Sequence, residues 1–207
     1  MNPYYQFLLP RLLDWSMSDE PFSRYRSELL SQVRGDTLEI GFGTGLNLSY
    51  YPSNLRALTA IDANPGMSAL AERRIRASEI AVDHQVLNGE SLPIDDNRFD
   101  SVVSTWTLCS IAKVEQALRE IHRVLKPGGR FFFIEHGLSR DRKIQVWQHR
   151  LTPIQKALAD GCHFDRDIRD LVENQFSQST IKEFQPENLP AVLRCFYQGI
   201  AIKNASD

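Results

Sequence analysis

The run Leu38-Glu39-Ile40-Gly41-Phe42-Gly43-Thr44-Gly45 constrains this chain more than any other feature. A short apolar strand over 37–40 meets three glycines at alternate positions. Glycine adopts positive φ without steric cost and lets a ligand approach the backbone closely. A second strand over 57–61 ends at Asp62, about 20 residues further on, where a carboxylate accepts hydrogen bonds from a ribose diol. Strand, glycine turn and acid in that order belong at the carboxyl edge of a doubly wound sheet, where such folds bind ligands. Without the strand, a following helix and the acid, the same glycines would read as a tight turn and nothing more.

The rest of the chain alternates between strand-like and helix-like segments. Residues 4–15 carry apolar positions at mixed helical spacing. After Asp19 and Pro21 a helix over 22–33 is stopped near Gly35. A helix over 65–77 has Pro65 in its first turn. Over 113–125, Val114, Leu118, Ile121 and Leu125 share one helical side. Further helices are expected over 141–159, broken near Pro153, and over 165–174. Strands are expected over 82–87, 99–104 and 130–135, the last after a Lys126-Pro127-Gly128-Gly129 turn. Residues 179–184 and 193–202 alternate like a closing antiparallel pair. This order predicts right-handed βαβ units: a Rossmann-like α/β fold with a mainly parallel sheet and helices on both faces.

A chain of 207 residues suits one domain. Within it we expect a helical lid over 1–34, a cofactor-binding core over 35–136, and substrate-side helices with a C-terminal strand pair over 137–207. Composition narrows the partners. Hydrophobic residues at 42% and charged residues at 24% fit a soluble globular protein. A net charge of -2 gives no basic excess to favour nucleic acid. The three cysteines, Cys109, Cys162 and Cys195, are odd in number and far apart, so no disulfide framework or zinc spacing is read and a reducing compartment is expected. No apolar run reaches the roughly 20 residues of a transmembrane span, and residues 1–10 lack a secretory pattern. The expectation is a cytoplasmic protein. Residues 4–15 stay open between a lid and a membrane-surface element, with Arg11 their only basic residue.

Spacing and charge discriminate between cofactors. The dinucleotide fingerprint is G-x-G-x-x-G with pyrophosphate at a helix N-terminus. Here the pattern is G-x-G-x-G with Glu39 beside it. A carboxylate there repels pyrophosphate and suits the ammonium and sulfonium of S-adenosylmethionine.

Four segments together resemble the class I S-adenosylmethionine-dependent methyltransferases: 38–45, Ala60-Ile61-Asp62-Ala63-Asn64-Pro65-Gly66-Met67, 88–100, and Val124-Leu125-Lys126-Pro127-Gly128-Gly129-Arg130. The resemblance implies a seven-stranded sheet of order 3-2-1-4-5-7-6 with strand 7 antiparallel. It implies that Glu39 and the backbone of Gly41, Gly43 and Gly45 hold the methionine portion and that Asp62 holds the ribose. Ala63 and Met67 would flank the adenine, with Asn88, Gly89 and Glu90 at its edge. Asn88 stands where many relatives have Asp. Thr105 and Trp106 would line the methyl-transfer chamber. Thr107-Leu108-Cys109-Ser110, Glu135-His136, Trp147-Gln148 and Asp160-Gly161-Cys162 resemble a narrower group, small animal methyltransferase-like proteins that methylate alkyl thiols. Those proteins begin with a hydrophobic anchor that is not read here.

The expected activity is therefore methyl transfer from S-adenosylmethionine, leaving S-adenosylhomocysteine, to a small-molecule acceptor. A thiol is the first choice, and a phospholipid amine or quinone-type ring the alternative. A nicotinamide-dependent oxidoreductase and a non-catalytic S-adenosylmethionine-binding protein are readings of other classes. Methyl transfer is an in-line displacement that requires positioning and desolvation but no metal. Glu135 and His136, at the end of the fifth strand, either serve the acceptor's proton or fix the following loop. Asp160 and Cys162 either wall the substrate or act as a helix cap and a small buried residue. Cys109 and Cys195 read as packing residues, and His84, His122 and His149 as isolated core or surface histidines.

Overall fold

In the computed structural model, which describes residues 4–18, 20–187 and 189–205, seven strands form one sheet. They are β1 (Thr37–Ile40), β2 (Ala57–Asp62), β3 (Ala81–Val86), β4 (Phe99–Thr105), β5 (Leu125–His136), β6 (Gln178–Phe184) and β7 (Phe196–Ile202). Their order is β3-β2-β1-β4-β5-β7-β6. β7 runs antiparallel to β5 and β6, and the pairs from β3 to β5 are parallel. Order and direction are those implied by the resemblance.

The helices are α1 (Leu9–Ser18), α2 (Phe22–Leu30), α3 (Ser68–Ala77), α4 (Val114–Val124), α5 (Arg142–Leu158) and α6 (Ile168–Gln175). Alternation along the strands divides the core into two layers. Phe131 and Phe133 of β5 join Leu118 and Ile121 of α4 and Val172 of α6 on one face. Phe132 and Ile134 join Leu29 and Leu30 of α2 and Ala71 of α3 on the other. β1 and β4 are covered on both faces, which leaves their carboxyl ends as the open edge of the sheet.

Four local readings change. The glycine turn leads into a short 3-10 turn, Leu46–Tyr50, where an α-helix was expected. α5 runs unbroken through Pro153. Pro153 removes one N–H on an exposed face, and buried Gln148 keeps the helix seated on the loop after β5. Its Nε2 donates to Gly137 O at 3.1 Å, and Ser139 N donates to its Oε1 at 2.8 Å. The Lys126-Pro127-Gly128-Gly129 turn is a bulge inside β5, whose register against β4 shifts there, with Gly128 N donating to Lys203 O at 2.9 Å. α2 also stops at Leu30, short of the expected 33. Asp19, part of the expected helix start, lies outside the described residues.

Candidate active site

The carboxyl ends of β1, β2, β4 and β5 open into a cavity of about 880 Å³. Gly41, Gly43, Asp62, Ala63, Met67, Asn88, Gly89, Glu90 and Thr105 all line it, as do Trp106, His136, Asp160 and Cys162. Glu39, Gly45 and Glu135 are not among its lining residues.

The glycine turn is bound to β2 through its backbone. Gly41 N and Phe42 N donate to Ile61 O at 2.9 and 3.0 Å. Gly41 has φ 78°, and a Cβ there would stand 1.9 Å from Thr107 Oγ1, so no other residue fits. Gly43 has φ 56°, and a Cβ there would meet only Gly41 O at 4.0 Å, leaving a bare backbone wall. Gly43 N donates to Asp62 Oδ2 at 2.7 Å, and Asn64 N donates to Oδ1 at 2.7 Å. Burial raises the Asp62 pKa, with the two amides opposing it. Each carboxylate oxygen keeps a lone pair for a diol. Asp160 lies on this same side, its Oδ2 accepting from Asn64 Nδ2 at 3.0 Å. Asn88 Oδ1 accepts from Glu90 N at 3.0 Å, which shapes the loop at the far edge.

Glu39 corrects a sequence expectation. It is buried behind the cavity wall and not among the lining residues, with Asn47 Nδ2 donating to Oε1 and Tyr51 Oη to Oε2, both at 2.7 Å. Asn47 Oδ1 in turn accepts from Arg26 Nε at 3.0 Å. Burial raises the Glu39 pKa to about 7, against the two hydrogen bonds and the Arg26 charge. The polar group Glu39 presents to the cavity is thus indirect: Asn47 and the buried guanidinium of Arg26 line the wall in its place. Desolvation lowers the Arg26 pKa to about 10, so it stays cationic at neutral pH.

Glu135 is the second correction. Its Oε1 accepts from Ser104 Oγ at 3.1 Å, Thr107 N at 3.1 Å and Leu108 N at 3.0 Å. Its Oε2 accepts from Cys109 N at 3.2 Å. The carboxylate is consumed in holding the loop after β4 and touches no part of the cavity. Burial raises its pKa to about 7, against those four donors.

The end of the cavity beyond Thr105 is aromatic. Trp106 takes a left-handed φ of 52°, a costly conformation for a bulky residue, which turns its ring between Phe22 and the Arg26 guanidinium. His136 meets Phe164 and Phe196 edge to face. Burial lowers its pKa to about 4, so the imidazole is neutral at pH 7. Trp106 Nε1 is buried with no hydrogen-bond partner among the described residues, whereas the backbone of His163 and Val192 interacts with the His136 ring and partly offsets its burial. The carboxylates that line the cavity, Asp14, Asp62, Glu90 and Asp160, belong to the turn-and-adenine side or to α1.

α1 roofs the cavity with Leu13, Asp14, Ser16 and Met17 and exposes Leu12 and Trp15. Asp14 ties it down. Thr44 Oγ1 donates to Asp14 Oδ1 at 2.5 Å, and Arg74 donates to Oδ1 and Oδ2 at 2.7 and 3.1 Å. Burial alone would raise the Asp14 pKa, but the Arg74 and Thr44 hydrogen bonds prevail and lower it. Among the described residues no helix is long and apolar enough to cross a membrane.

Sequence reasoning missed Asp14, Arg26, Asn47, Phe164 and Phe196. Arg26 carried a readable signal: it shares the buried helical stripe of Phe22, Leu29 and Leu30, where a charge is costly without a task. The others gather from distant segments and left no local signature.

Comparison with known proteins adds an independent line. Residues 38–133 match the family model described as "Methyltransferase domain". The chain is 34% identical over 200 residues to a protein named thiol S-methyltransferase TMT1B from Rattus norvegicus, covering 88% of this chain and 79% of the relative. It is 36% identical over 174 residues to thiol S-methyltransferase TMT1A from Homo sapiens, covering 80% and 70%. Among solved structures, the phosphoethanolamine N-methyltransferase 2 of Haemonchus contortus, in complex with phosphomonomethylethanolamine and S-adenosylhomocysteine, superposes with a TM-score of 0.73 at 14% identity. That match covers 94% of this chain and 57% of the other, and it speaks to the fold.

Proposed function

The chain belongs to the S-adenosylmethionine-dependent methyltransferase family, in the group that includes the thiol S-methyltransferases TMT1A and TMT1B, and from that premise we propose that it methylates small lipophilic thiols. One observation carries the choice of acceptor. Glu135 is spent on the loop after β4, so the aromatic end of the cavity holds no ionised base. Alcohols and protonated amines need such a base. A thiol needs it least, because its thiolate is so strong a nucleophile that the small fraction ionised near neutral pH is enough to react.

The donor set fits the methyl donor. A bare backbone wall at Gly43, a diol acceptor at Asp62 and a buried cation at Arg26 line one continuous cavity. A dinucleotide fits less well, since the 3-10 turn after Gly45 is too short to offer the helix N-terminus that pyrophosphate prefers. When bound, S-adenosylmethionine supplies an activated methyl group on a sulfonium. In this reading Asp62 accepts from the ribose hydroxyls, Arg26 pairs with the methionine carboxylate, and Ala63, Met67 and the loop at Asn88, Gly89 and Glu90 enclose the adenine. Thr105 and Trp106 border the point of transfer. Trp106 Nε1–H is the donor for the acceptor sulfur and costs about 1–3 kcal/mol while buried without a partner, and the neutral His136 ring lies beside it in the chamber wall. With a pKa near 4, His136 orients the sulfur and does not carry its proton. Asp160 serves the cofactor side, and Cys162 walls the chamber. The segment 1–34 acts as a lid that excludes water, and three cysteines, odd in number and far apart in sequence, fit a reducing, cytoplasmic setting.

Transfer of labelled methyl to a panel tests the reading. The panel holds an alkanethiol, the alcohol and amine of the same chain length, a phosphatidylethanolamine and a demethylated quinol. The thiol should exceed the alcohol and amine by at least about 100-fold. Preference for the lipid amine or the quinol would replace it with the alternative acceptor. S-adenosylhomocysteine binding without transfer to any acceptor would leave a binding protein.

A further inference from the structure

Two cysteines far apart in the chain meet beside the cavity. Cys109 Sγ and Cys162 Sγ lie 3.5 Å apart, and both residues line the cavity wall. Cys109 sits in the loop after β4 that Glu135 pins through its amide. Cys162 follows α5, where Asp160 (φ 48°) and Gly161 (φ 83°) both turn left-handed and fold the chain back. The juxtaposition is secured on both sides. His163 N donates to Cys109 O at 2.9 Å, and Arg166 Nη1 donates to Leu108 O. Gly161 is so close that a Cβ would stand 3.0 Å from Ser110 O. Cys195 takes no part; its thiol donates to Leu138 O at 3.4 Å, and it is not among the lining residues.

We propose that Cys109 and Cys162 form a redox-active dithiol that reduces small organic disulfides entering the cavity. The methyl-transfer chemistry uses neither sulfur, so this is a second activity, and it does not rest on the identity of the methyl acceptor. The two thiols are unequal. Cys162 is partly exposed, and its pKa is lowered by the hydrogen bond with Cys109, with Gln155 and Arg166 assisting against burial. Cys109 is buried, and that same hydrogen bond and its burial raise its pKa. Cys162 is therefore the attacking sulfur and Cys109 the resolving one.

The exchange balances. The Cys162 thiolate attacks one sulfur of R–S–S–R, forms a mixed disulfide and releases one thiolate. Cys109 then attacks Cys162 Sγ, forms the Cys109–Cys162 disulfide and expels the second thiolate. The protons of the two cysteines pass to the two released thiolates. Two electrons leave the protein dithiol and reduce the substrate, and a small dithiol from solution resets the pair. Closing from 3.5 Å to a bond of about 2.05 Å needs a shift of roughly 1.5 Å, within reach of the two loops that carry the sulfurs. The thiol released is of the class proposed above as methyl acceptor.

The test uses the full chain and bis(2-hydroxyethyl) disulfide, followed by intact mass, thiol release and peptide mapping. Two thiols should be released per chain, the mass should fall by about 2 Da, and Cys109 should be linked to Cys162, with dithiothreitol reversing all three. C109S should instead stop at a mixed disulfide on Cys162. C162S should slow the reaction by at least about tenfold. A stable mixed disulfide on Cys162 in the unaltered protein would overturn the proposal. So would a link through Cys195, or a rate no faster than that of free cysteine. The mass of the unaltered protein decides the matter even if a variant fails to fold.

Discussion

Replacing Asp14 with Asn tests whether α1 is held over the cavity by charge. The substitution keeps size and leaves one acceptor oxygen. In the native clamp Oδ1 takes Thr44 Oγ1 at 2.5 Å and Arg74 Nη1 at 2.7 Å, while Oδ2 takes Arg74 Nη2 at 3.1 Å. Asn retains the first pair without the charge and turns an amide donor toward Arg74 Nη2. The side chains are 22% and 30% exposed, so the pair is neither a solvated surface bridge nor fully buried. Loss of a charge-assisted hydrogen bond costs about 1.5–3 kcal/mol, and we take the lower half of that range for partial screening. Opening of α1 should then become roughly tenfold more frequent. Hydrogen exchange reads it directly: α1 amides should exchange about tenfold faster while β4 and β5 amides keep their protection. Arg74 Nη1 also donates to Thr44 O at 2.9 Å, so Arg74→Met alone loses more than the pair. A double-mutant cycle removes that excess and should return a coupling of about 1–2 kcal/mol. The clamp has a pH signature as well. A carboxylate whose pKa is lowered adds stability above its unfolded value, and the addition is lost as pH falls through the folded value. The protection of α1 amides relative to their intrinsic exchange rates should therefore fall below about pH 4 in the native protein. Equal exchange in both proteins, or a coupling near zero, would show that α1 is held by packing alone.

Further outcomes are expected at the site. His136→Phe keeps the aromatic contacts but gives up the ring's polar interactions with the backbone of His163 and Val192, so melting temperature should fall modestly while kcat/KM for thiols falls roughly 10- to 100-fold. Unchanged turnover would remove His136 from acceptor positioning. Arg26→Met should weaken S-adenosylhomocysteine binding about tenfold or more, but leave a decarboxylated analogue unaffected; equal losses for both would deny the carboxylate contact. Stability against pH separates Glu135 from His136. Burial raises the Glu135 pKa from 4.5 to about 7, so the folded chain keeps a proton the unfolded chain has released, and stability falls as pH rises through that window. Burial lowers the His136 pKa from 6.5 to about 4, so its contribution rises with pH between those values. Glu135→Gln should thus tilt the melting-temperature profile upward between pH 5 and about 7 relative to the native chain; parallel profiles would contradict the assignment.

Much of the frame was readable because its signals are local. The strand, the glycines at alternate positions and Asp62 are set by backbone conformation and sheet edge, and they fall where spacing puts them. Strand order came from resemblance, since periodicity alone does not say which parallel strands are neighbours. The two acids show what a local reading lacks. Glu39 alternates with Leu38 and Ile40 in a strand covered on both faces, so its direction depends on Asn47 and Tyr51 in the turn that follows. Glu135 is captured by backbone amides of residues 107–109, which carry no side-chain signature at all. Cys109 and Cys162 likewise read as separate packing residues until the turn at Asp160 and Gly161 brings them together. Pro153 was read as a break because the tether of α5 through Gln148 is a tertiary contact.

The central claim is that the glycine turn and Asp62 grip an adenosyl amino acid. Titration calorimetry with S-adenosylhomocysteine, using the native chain and Asp62→Ala, addresses it most directly. One molecule should bind per native chain, and the variant should bind roughly 10- to 150-fold more weakly, matching about 1.5–3 kcal/mol for a charge-assisted acceptor. Equal affinity in the two proteins, or heat from NADH in place of S-adenosylhomocysteine, would contradict it.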